Sequence, residues 1–186
     1  MNNPDAVCRL AVTIRDALES DVPAIHAIYA QHVLHGVATF EMTPPPLADM
    51  HARLAAIRTQ GMPWLVACSD DTVLGYAYAS TYRARPAYRF TIEDSIYLAP
   101  QAHGRGVGRS LLAALIERCE QGPWRQMVAV ISGRGSEASV GLHAALGFVD
   151  AGTLRNVGFK HDQWLDTMFM QRALGAGAVQ PPPADY

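Results

Sequence analysis

The spacing of apolar residues predicts alternating helices and strands along this chain. Apolar positions recur at helical intervals over residues 47–60 and 109–120. Short apolar or alternating runs bounded by turn residues predict strands. The predicted strands are residues 10–14, 64–68, 73–80, 91–98, 127–131, 148–154 and 164–171, and helices are predicted to begin near residues 20, 47, 109 and 137. Their order, βααβββαβαββ, predicts an α/β fold in which helices cover a mixed sheet.

The length of the chain fits one domain. Of the 186 residues, 10–174 carry the predicted elements and form the predicted domain. Residues 1–9 are expected to be an N-terminal tail. Residues 175–186, rich in Gly, Ala and Pro, are expected to be a loose C-terminal tail because they bury little apolar surface.

Composition narrows the classes of function. A formal net charge of −2 gives no basic footprint for nucleic acid, and no apolar run reaches the ~18 residues that a membrane span needs. Cys8, Cys68 and Cys119 are too widely spaced for a disulfide framework or a zinc pattern, and residues 1–9 lack the apolar core of a signal peptide, so a cytoplasmic location is predicted. The seven histidines show no metal-binding spacing, so no metal is expected.

A glycine-rich turn joins the strand that ends at Leu98 to the following helix. Gly104, Gly106 and Gly108 permit positive φ angles and close approach of a ligand, and the first N–H groups of a helix lack partners inside it. Each hydrogen bond to a charged group contributes ~1.5–3 kcal/mol, against ~0.3–1 kcal/mol from the helix dipole. The turn therefore predicts a diphosphate site. It lacks the nucleoside triphosphate motif Gly-Lys-Ser/Thr and the dinucleotide spacing Gly-x-Gly-x-x-Gly.

The segment from His103 to Leu112 resembles the acetyl-CoA pyrophosphate loop of the GNAT superfamily of N-acetyltransferases, Gln/Arg-x-x-Gly-x-Gly/Ala. Two frames fit, beginning at Gln101 or at His103, and the Leu-Leu that follows favours the second. His103 then replaces the family's usual Gln or Arg, and Ser136 stands where related sequences often carry Asn. The resemblance implies acetyl-CoA as co-substrate, contacted by Tyr97, Leu98, His103, Gly104, Arg105, Gly106, Val107, Gly108, Arg109, Ser136 and Ser139.

Three further segments, residues 91–97, 139–148 and 153–164, resemble the phosphinothricin N-acetyltransferase branch of this superfamily. The resemblance implies the GNAT fold, with a mixed and mostly antiparallel sheet of about seven strands flanked by about four helices. It also implies a homodimer. The implied reaction is direct acetyl transfer to the α-amine of a small amino acid analogue, such as phosphinothricin, methionine sulfoximine or methionine sulfone.

Acetyl transfer needs a neutral amine, a stabilised oxyanion and a proton for the departing thiolate. By resemblance, Glu93 is the expected general base, whereas the strand period turns Asp94 to the other face. His143 is expected to be an acid or a partner of Glu93; the alternative is a histidine bonded at a helix–sheet interface. Backbone N–H groups near Tyr97 and Leu98 are the expected oxyanion donors.

Substrate selection is assigned to the segment before the Glu93 strand, because arginine can clamp a carboxylate with two hydrogen bonds. The candidates there are Tyr82, Arg83, Arg85 and Tyr88, and the resemblance adds Phe40, Glu41, Lys160, His161 and Trp164. Solvated arginines and a core Trp164 are the alternatives for these positions. Two other functions stay open: acetylation of another amine, such as a polyamine or a peptide N-terminus, and a CoA-binding sensor without turnover.

Overall fold

Seven strands and four helices make up the computed structural model, which describes residues 11–133 and 135–182. The strands are β1 (Thr13–Asp16), β2 (Trp64–Ser69), β3 (Thr72–Thr81), β4 (Thr91–Leu98), β5 (Gln126–Ser132), β6 (Val149–Lys160) and β7 (Gln163–Ala173). The helices are α1 (Val22–His35), α2 (Leu47–Thr59), α3 (Val107–Glu120) and α4 (Glu137–Ala144). The element order predicted from the sequence is confirmed.

The strands form a single sheet in the order β1-β2-β3-β4-β5-β7-β6. All neighbouring strands are antiparallel except β4 and β5, which run parallel. One face of the sheet packs against α1 and α2, and the other packs against α3 and α4. Each face therefore has its own apolar core, and alternate residues of β4 point into the two cores. The expected mixed, mostly antiparallel sheet is confirmed.

The paired strands β4 and β5 separate halfway along their length. Their ladder runs from Thr91 opposite Gln126 to Asp94 opposite Ala129 and then stops, although both strands continue. The remaining half of β4, residues 95–98, therefore borders a gap that opens toward the glycine-rich turn. Sequence periodicity does not predict such a gap, because it depends on how two distant strands diverge.

Several predicted boundaries differ from the structure. The first strand begins at Thr13 and not at residue 10, and residues 1–10 and 183–186 lie outside the described part of the chain. β6 continues to Lys160, beyond the predicted end at residue 154, because a bulge interrupts its alternation: Leu154 pairs with Thr167, but Gly158 pairs with Leu165.

Residues 175–180 form turns and a bend after β7. Gly177 N–H donates to Leu174 C=O, and Val179 N–H donates to Ala176 C=O. Gly177 is buried, so this part of the expected tail has defined contacts. In residues 11–133 and 135–182, no helix is long and apolar enough to span a membrane.

Candidate active site

The end of β4 presents unpaired backbone donors to the gap. Ala99 N–H donates to Leu74 C=O, and Tyr97 lies opposite Tyr76 in the same register. Residue pairs in an antiparallel ladder alternate between hydrogen-bonded and non-hydrogen-bonded positions. The N–H of Tyr97 therefore donates to β3, whereas those of Ile96 and Leu98 face the gap. The expected oxyanion donor at Leu98 fits this geometry. The Tyr97 N–H is directed to β3, so the donors near Tyr97 and Leu98 that face the gap are those of Ile96 and Leu98.

His32 fixes the same end of β4, and the sequence analysis did not single it out. Its Nε2 donates to Leu98 C=O at 2.9 Å, and its ring packs edge-on against Tyr97 with centroids 5.3 Å apart. Burial lowers the pKa of His32, against the effect of the Leu98 carbonyl. The neutral ring therefore ties α1 to the strand at the gap. A signal was present, because His32 follows the buried Tyr29 by three residues and shares its helix face.

The glycine-rich turn ends directly at the start of α3. Gly106 is the N-cap residue with φ of 80°, a left-handed conformation that favours glycine, and α3 begins at Val107, two residues earlier than predicted. A side-chain carbon added at Gly104 or Gly106 would meet nothing within 4 Å. The N–H groups of Val107, Gly108 and Arg109 precede the first intrahelical bond, which Ser110 N–H makes to Gly106 C=O. This open cradle of donors fits a pyrophosphate.

The other residues of the cofactor set differ in what they contact. Gly108 is buried, and a Cβ there would lie 3.1 Å from Leu98, so this glycine allows α3 to approach β4. His103 and Arg105 are exposed beside the cradle. Ser136 Oγ donates to Gly133 C=O at 2.9 Å, and Ser139 C=O accepts a hydrogen bond from His143. Ser136 therefore shapes its own turn, and the sequence-predicted contact between Ser136 and the cofactor stays a prediction.

Glu93 lies on the α1/α2 face of β4, half-buried beside the gap. Its pKa is raised to about 7, first by loss of solvation and then by the neighbouring charge of Asp94, while the Arg83 guanidinium opposes the shift. A carboxyl group with this pKa changes protonation state near neutrality. Such a group is suited to accept a proton from an amine.

The segment between β3 and β4 brings aromatic and basic side chains toward Glu93. Arg83 is exposed, lies over the Tyr82 ring at 5.1 Å and acts electrostatically on Glu93. Tyr82 and Tyr88 meet edge-on, with ring centroids 5.8 Å apart. Arg85 is exposed at the start of the short helical turn Pro86–Tyr88. The structure therefore associates Arg83, rather than Arg85, with the Glu93 carboxylate.

His143 pairs with Asp94 and not with Glu93, so the predicted partnership between His143 and Glu93 is wrong. His143 Nε2 lies 3.0 Å from Asp94 Oδ2, and Nδ1 donates to Ser139 C=O at 2.7 Å. The physical reason is the strand period, which turns Asp94 toward α4 and Glu93 toward the opposite face. The structure supports the alternative of a histidine bonded at a helix–sheet interface.

Burial opposes the charge on His143, but the Asp94 carboxylate and the Ser139 carbonyl outweigh it and raise the pKa of His143. Asp94 Oδ1 is buried without a hydrogen-bond partner. Both ring nitrogens of His143 are engaged within the protein. Delivery of a proton from His143 to a substrate would require one of these hydrogen bonds to break.

The loop between α1 and α2 forms a further wall of the site. Phe40 is exposed at its surface, and Glu41 pairs with Arg53, with Nη2 2.8 Å from Oε1. His161, in the turn that joins β6 and β7, donates from Nε2 to Gly36 C=O at 3.3 Å. The structure therefore brings this loop and the β6–β7 turn together, and the predicted contacts of Phe40, Glu41 and His161 with the substrate stay predictions.

Lys160 is buried and Trp164 is exposed, and the predicted role of Trp164 in substrate binding stays a prediction. Lys160 is 1% exposed and its Nζ donates to Thr39 C=O at 2.8 Å, so the structure does not support the expected direct contact of Lys160 with the substrate. Burial lowers the pKa of Lys160, against the charge of Glu41. Trp164 is 63% exposed beside Phe159, so the alternative of a core tryptophan is wrong. Within the described residues, no three His, Cys, Asp or Glu side chains form a metal-binding group.

Comparison with known proteins agrees with this geometry. The Acetyltransferase (GNAT) family model matches residues 24–148. The chain is 55% identical over 176 residues to a phosphinothricin N-acetyltransferase of Alcaligenes faecalis, covering 95% of this chain and 89% of that protein. It is 42% identical over 163 residues to an L-methionine sulfoximine/L-methionine sulfone acetyltransferase of Pseudomonas paraeruginosa, covering 87% and 94% of the two chains.

A solved structure extends the likeness to three dimensions. The crystal structure of a GNAT superfamily phosphinothricin acetyltransferase from Sinorhizobium meliloti in complex with acetyl-CoA superimposes with a TM-score of 0.90. The two chains are 49% identical, and the match covers 93% of this chain and 94% of the other. The resemblance seen in the sequence is confirmed. This chain belongs to the GNAT family of acetyltransferases.

Proposed function

We propose that this enzyme transfers the acetyl group of acetyl-CoA directly to the α-amine of a small amino acid analogue of the phosphinothricin, methionine sulfoximine or methionine sulfone type. The observation that carries the proposal is the position of Glu93. This carboxyl group has a pKa of about 7 and lies on the strand whose unpaired end borders the gap and leads into the glycine cradle. Relatives with these acceptors in their names support the substrate class.

The residues around the gap fit acetyl-CoA. The cradle at Gly104 and Gly106 has open space, and the N–H groups of Val107, Gly108 and Arg109 are available to phosphate oxygens. When bound, acetyl-CoA supplies the activated acetyl group as a thioester. The Leu98 N–H faces the gap and is the proposed donor to the carbonyl oxygen that becomes negative during transfer. Loss of one such donor in other enzymes costs ~2.7–4 kcal/mol.

Glu93 is the proposed general base for the acceptor amine. Each unit of pKa difference between the amine and its base corresponds to ~1.36 kcal/mol. The α-amine of a free amino acid is more basic than Glu93, so proton transfer to Glu93 is uphill, but raising the pKa of Glu93 from the usual ~4.3 to about 7 lowers this cost by about 4 kcal/mol. The raised pKa of Glu93 makes the neutral amine accessible at physiological pH.

The departing group places a smaller demand on the protein. A thiol of pKa ~8.5 leaves readily as thiolate, so His143 is proposed to position α4 against β4 and not to supply the proton. Arg83, Arg85, Tyr82 and Tyr88 are proposed to meet the acceptor's carboxylate, with Phe40, Glu41 and His161 on the other side. A site that selects a carboxylate disfavours the alternative of a polyamine acceptor. The raised pKa of Glu93 disfavours the alternative of a CoA-binding sensor without turnover.

Two further properties are part of the proposal. A homodimer is supported by the edge strand β6, which is exposed over most of its length and carries the apolar residues Leu154, Val157 and Phe159 at 50–55% exposure. A cytoplasmic location is supported by the free, buried thiols of Cys68 and Cys119. Sedimentation of the purified protein at micromolar concentration tests the dimer.

The function is tested by measuring free-thiol release from acetyl-CoA with the purified enzyme. The acceptors are phosphinothricin, methionine sulfoximine, methionine sulfone, the common amino acids and a polyamine. Selective release with one or more of the glutamate- or methionine-like analogues is expected. Release with the polyamine alone, or binding of acetyl-CoA without release for any amine, would contradict the proposal.

A further inference from the structure

The site loop, residues 36–42 between α1 and α2, is attached to several other elements. Ser132 Oγ, at the end of β5, donates to Val37 C=O at 2.7 Å. The Tyr29 hydroxyl on α1 shares a hydrogen bond of 2.9 Å with Thr39 Oγ1. Together with the contact from His161 to Gly36, these bonds join the site loop to α1, to β5 and to the β6–β7 turn. The loop is therefore pre-positioned before any substrate binds.

Two glycines let the site loop pack directly on backbone. A Cβ at Gly158 of β6 would overlap the ring of Phe40, and a Cβ at Gly133 would overlap the side chain of Val37. At both contacts the loop already lies against glycine backbone, so it cannot approach either glycine more closely. The positions of Phe40 and Val37 thus depend on the absence of side chains at two places distant in the sequence.

Lys160 makes the most deeply buried of the polar contacts to this loop. Its ammonium donates to Thr39 C=O at 2.8 Å, across 121 positions of the sequence, and its side chain is 1% exposed. Among the described residues it forms no ion pair with a carboxylate. Burying a cation without a paired anion costs free energy. An apolar side chain would avoid this cost if the position served only for packing, so the ammonium of Lys160 indicates a further role.

The site loop borders the face of the sheet that carries the proposed base. Tyr29, which is bonded to Thr39, packs edge-on against Tyr97 with ring centroids 5.1 Å apart. Tyr97 and Glu93 project from the same face of β4, whereas the glycine cradle lies beyond the end of that strand. A displaced site loop should therefore disturb the acceptor and leave the acetyl-CoA cradle unchanged.

We propose that Lys160 is a positioning residue that holds Thr39, and through it Phe40 and Glu41, in the place required for acceptor binding. The inference rests on the proposed function. The buried ammonium keeps the KM for the acceptor low by holding the loop in place, without direct contact with the substrate. Loss of the ammonium leaves the buried Thr39 carbonyl without this donor, so the loop has to relax outward.

The decisive variants are Lys160→Met, which keeps the length of the side chain but removes charge and donor, and Lys160→Gln, which retains an N–H donor. For Lys160→Met we expect the KM for the amino acid analogue to rise roughly tenfold, the ratio that follows from loss of one buried hydrogen bond. The KM for acetyl-CoA should stay within about twofold of wild type, well below a tenfold change. Lys160→Gln should recover part of the loss.

Gly158→Ala displaces the same loop at Phe40, the residue next to Thr39, and leaves the Lys160 side chain in place. It should give the same split, with a raised acceptor KM and an unchanged acetyl-CoA KM. Arg118→Met, at an exposed ion pair with Asp16, is the control and should change neither constant. Calorimetric titration of the acceptor into each CoA-saturated variant gives a second measurement that does not depend on turnover.

The outcomes separate the two proposals. Folded Lys160→Met that binds the acceptor like wild type would overturn this inference while the proposed function stands. An equal loss of acceptor and acetyl-CoA affinity would also overturn it, since general damage would then explain the defect. If Lys160→Met does not fold, Lys160→Gln decides: a wild-type acceptor KM in that variant, which lacks the charge and has a shorter side chain, would overturn the inference. A wild-type enzyme that acetylates none of the acceptors would overturn the proposed function and this inference with it.

Discussion

His143 Nε2 lies 3.0 Å from Asp94 Oδ2, and the two side chains form a buried pair that joins α4 to β4. Asp94 is the last residue of β4 that pairs with β5, so this contact stands where the gap begins. Because the Ser139 carbonyl can only accept, His143 Nδ1 must carry a proton. A second proton is therefore shared between His143 and Asp94.

Breaking this pair should destabilise the fold. His143→Leu leaves a buried carboxyl group without its partner, and we expect a loss of about 3–5 kcal/mol in the free energy of unfolding. Urea denaturation at about pH 6 measures it. Since the pKa of His143 is raised in the folded state, the pair's contribution is complete below the unfolded value of ~6.5 and declines as pH rises through the folded pKa.

The double variant Asp94→Asn/His143→Gln provides the control, because neither residue then titrates. Its stability deficit relative to wild type should be larger at about pH 6 than at about pH 9. A deficit that grows with pH would contradict the assignment of a shared proton to this pair.

Glu93→Gln should abolish the pH dependence that the base imposes. Wild-type kcat/KM is expected to rise through about pH 7, where Glu93 ionises, and then to level off. The variant should lose roughly 10²–10⁴-fold above that pH, and less below it, where the wild-type carboxyl group is itself protonated. Initial rates across the pH range measure this effect. Acetyl-CoA affinity should be unchanged. A variant whose kcat/KM still rises through about pH 7, as in wild type, would exclude Glu93 as the base.

Arg83→Ala should shift the rise of kcat/KM, which follows the ionisation of Glu93, to higher pH. The Arg83 guanidinium favours the ionised form of Glu93, so its removal raises the pKa of the carboxyl group further. The shift should shrink in high salt, because Arg83 is exposed to solvent. Arg118→Ala, which removes an exposed ion pair with Asp16, serves as the comparison. Identical pH profiles for wild type and Arg83→Ala would remove Arg83 from the environment of Glu93.

Gly106→Ala should weaken acetyl-CoA binding. At φ of 80° a residue with a Cβ is strained by roughly 1–2 kcal/mol, so the cap of α3 and its N–H donors should shift, weakening affinity by roughly tenfold. Calorimetry with CoA gives the dissociation constant. Gly141→Ala is the matched control: this glycine lies inside α4 with open space around it, and alanine there should leave affinity unchanged. Equal affinity for both variants would contradict the role of Gly106.

Much of the fold was predictable because its signals are local. The two-residue period of β4 predicted that Asp94 and Glu93 face opposite sides, and the structure places them so. The same period contained a signal that was not used. A carboxylate directed at a helix-covered face needs a partner, and His143 is the basic side chain of α4. The length of β6 was missed because its bulge breaks the alternation on which strand prediction depends.

The sequence by itself determined the order of the elements, the glycine turn before α3 and the place of Glu93 just ahead of it, because periodicity and backbone φ are properties of neighbouring residues. Only the tertiary structure decided that β4 and β5 separate after Asp94, that His143 meets a residue 49 positions away, and that Lys160 holds Thr39 across 121 positions. These contacts depend on the direction in which packed strands diverge and on which buried polar groups then come within hydrogen-bond distance. No local pattern specifies either of them.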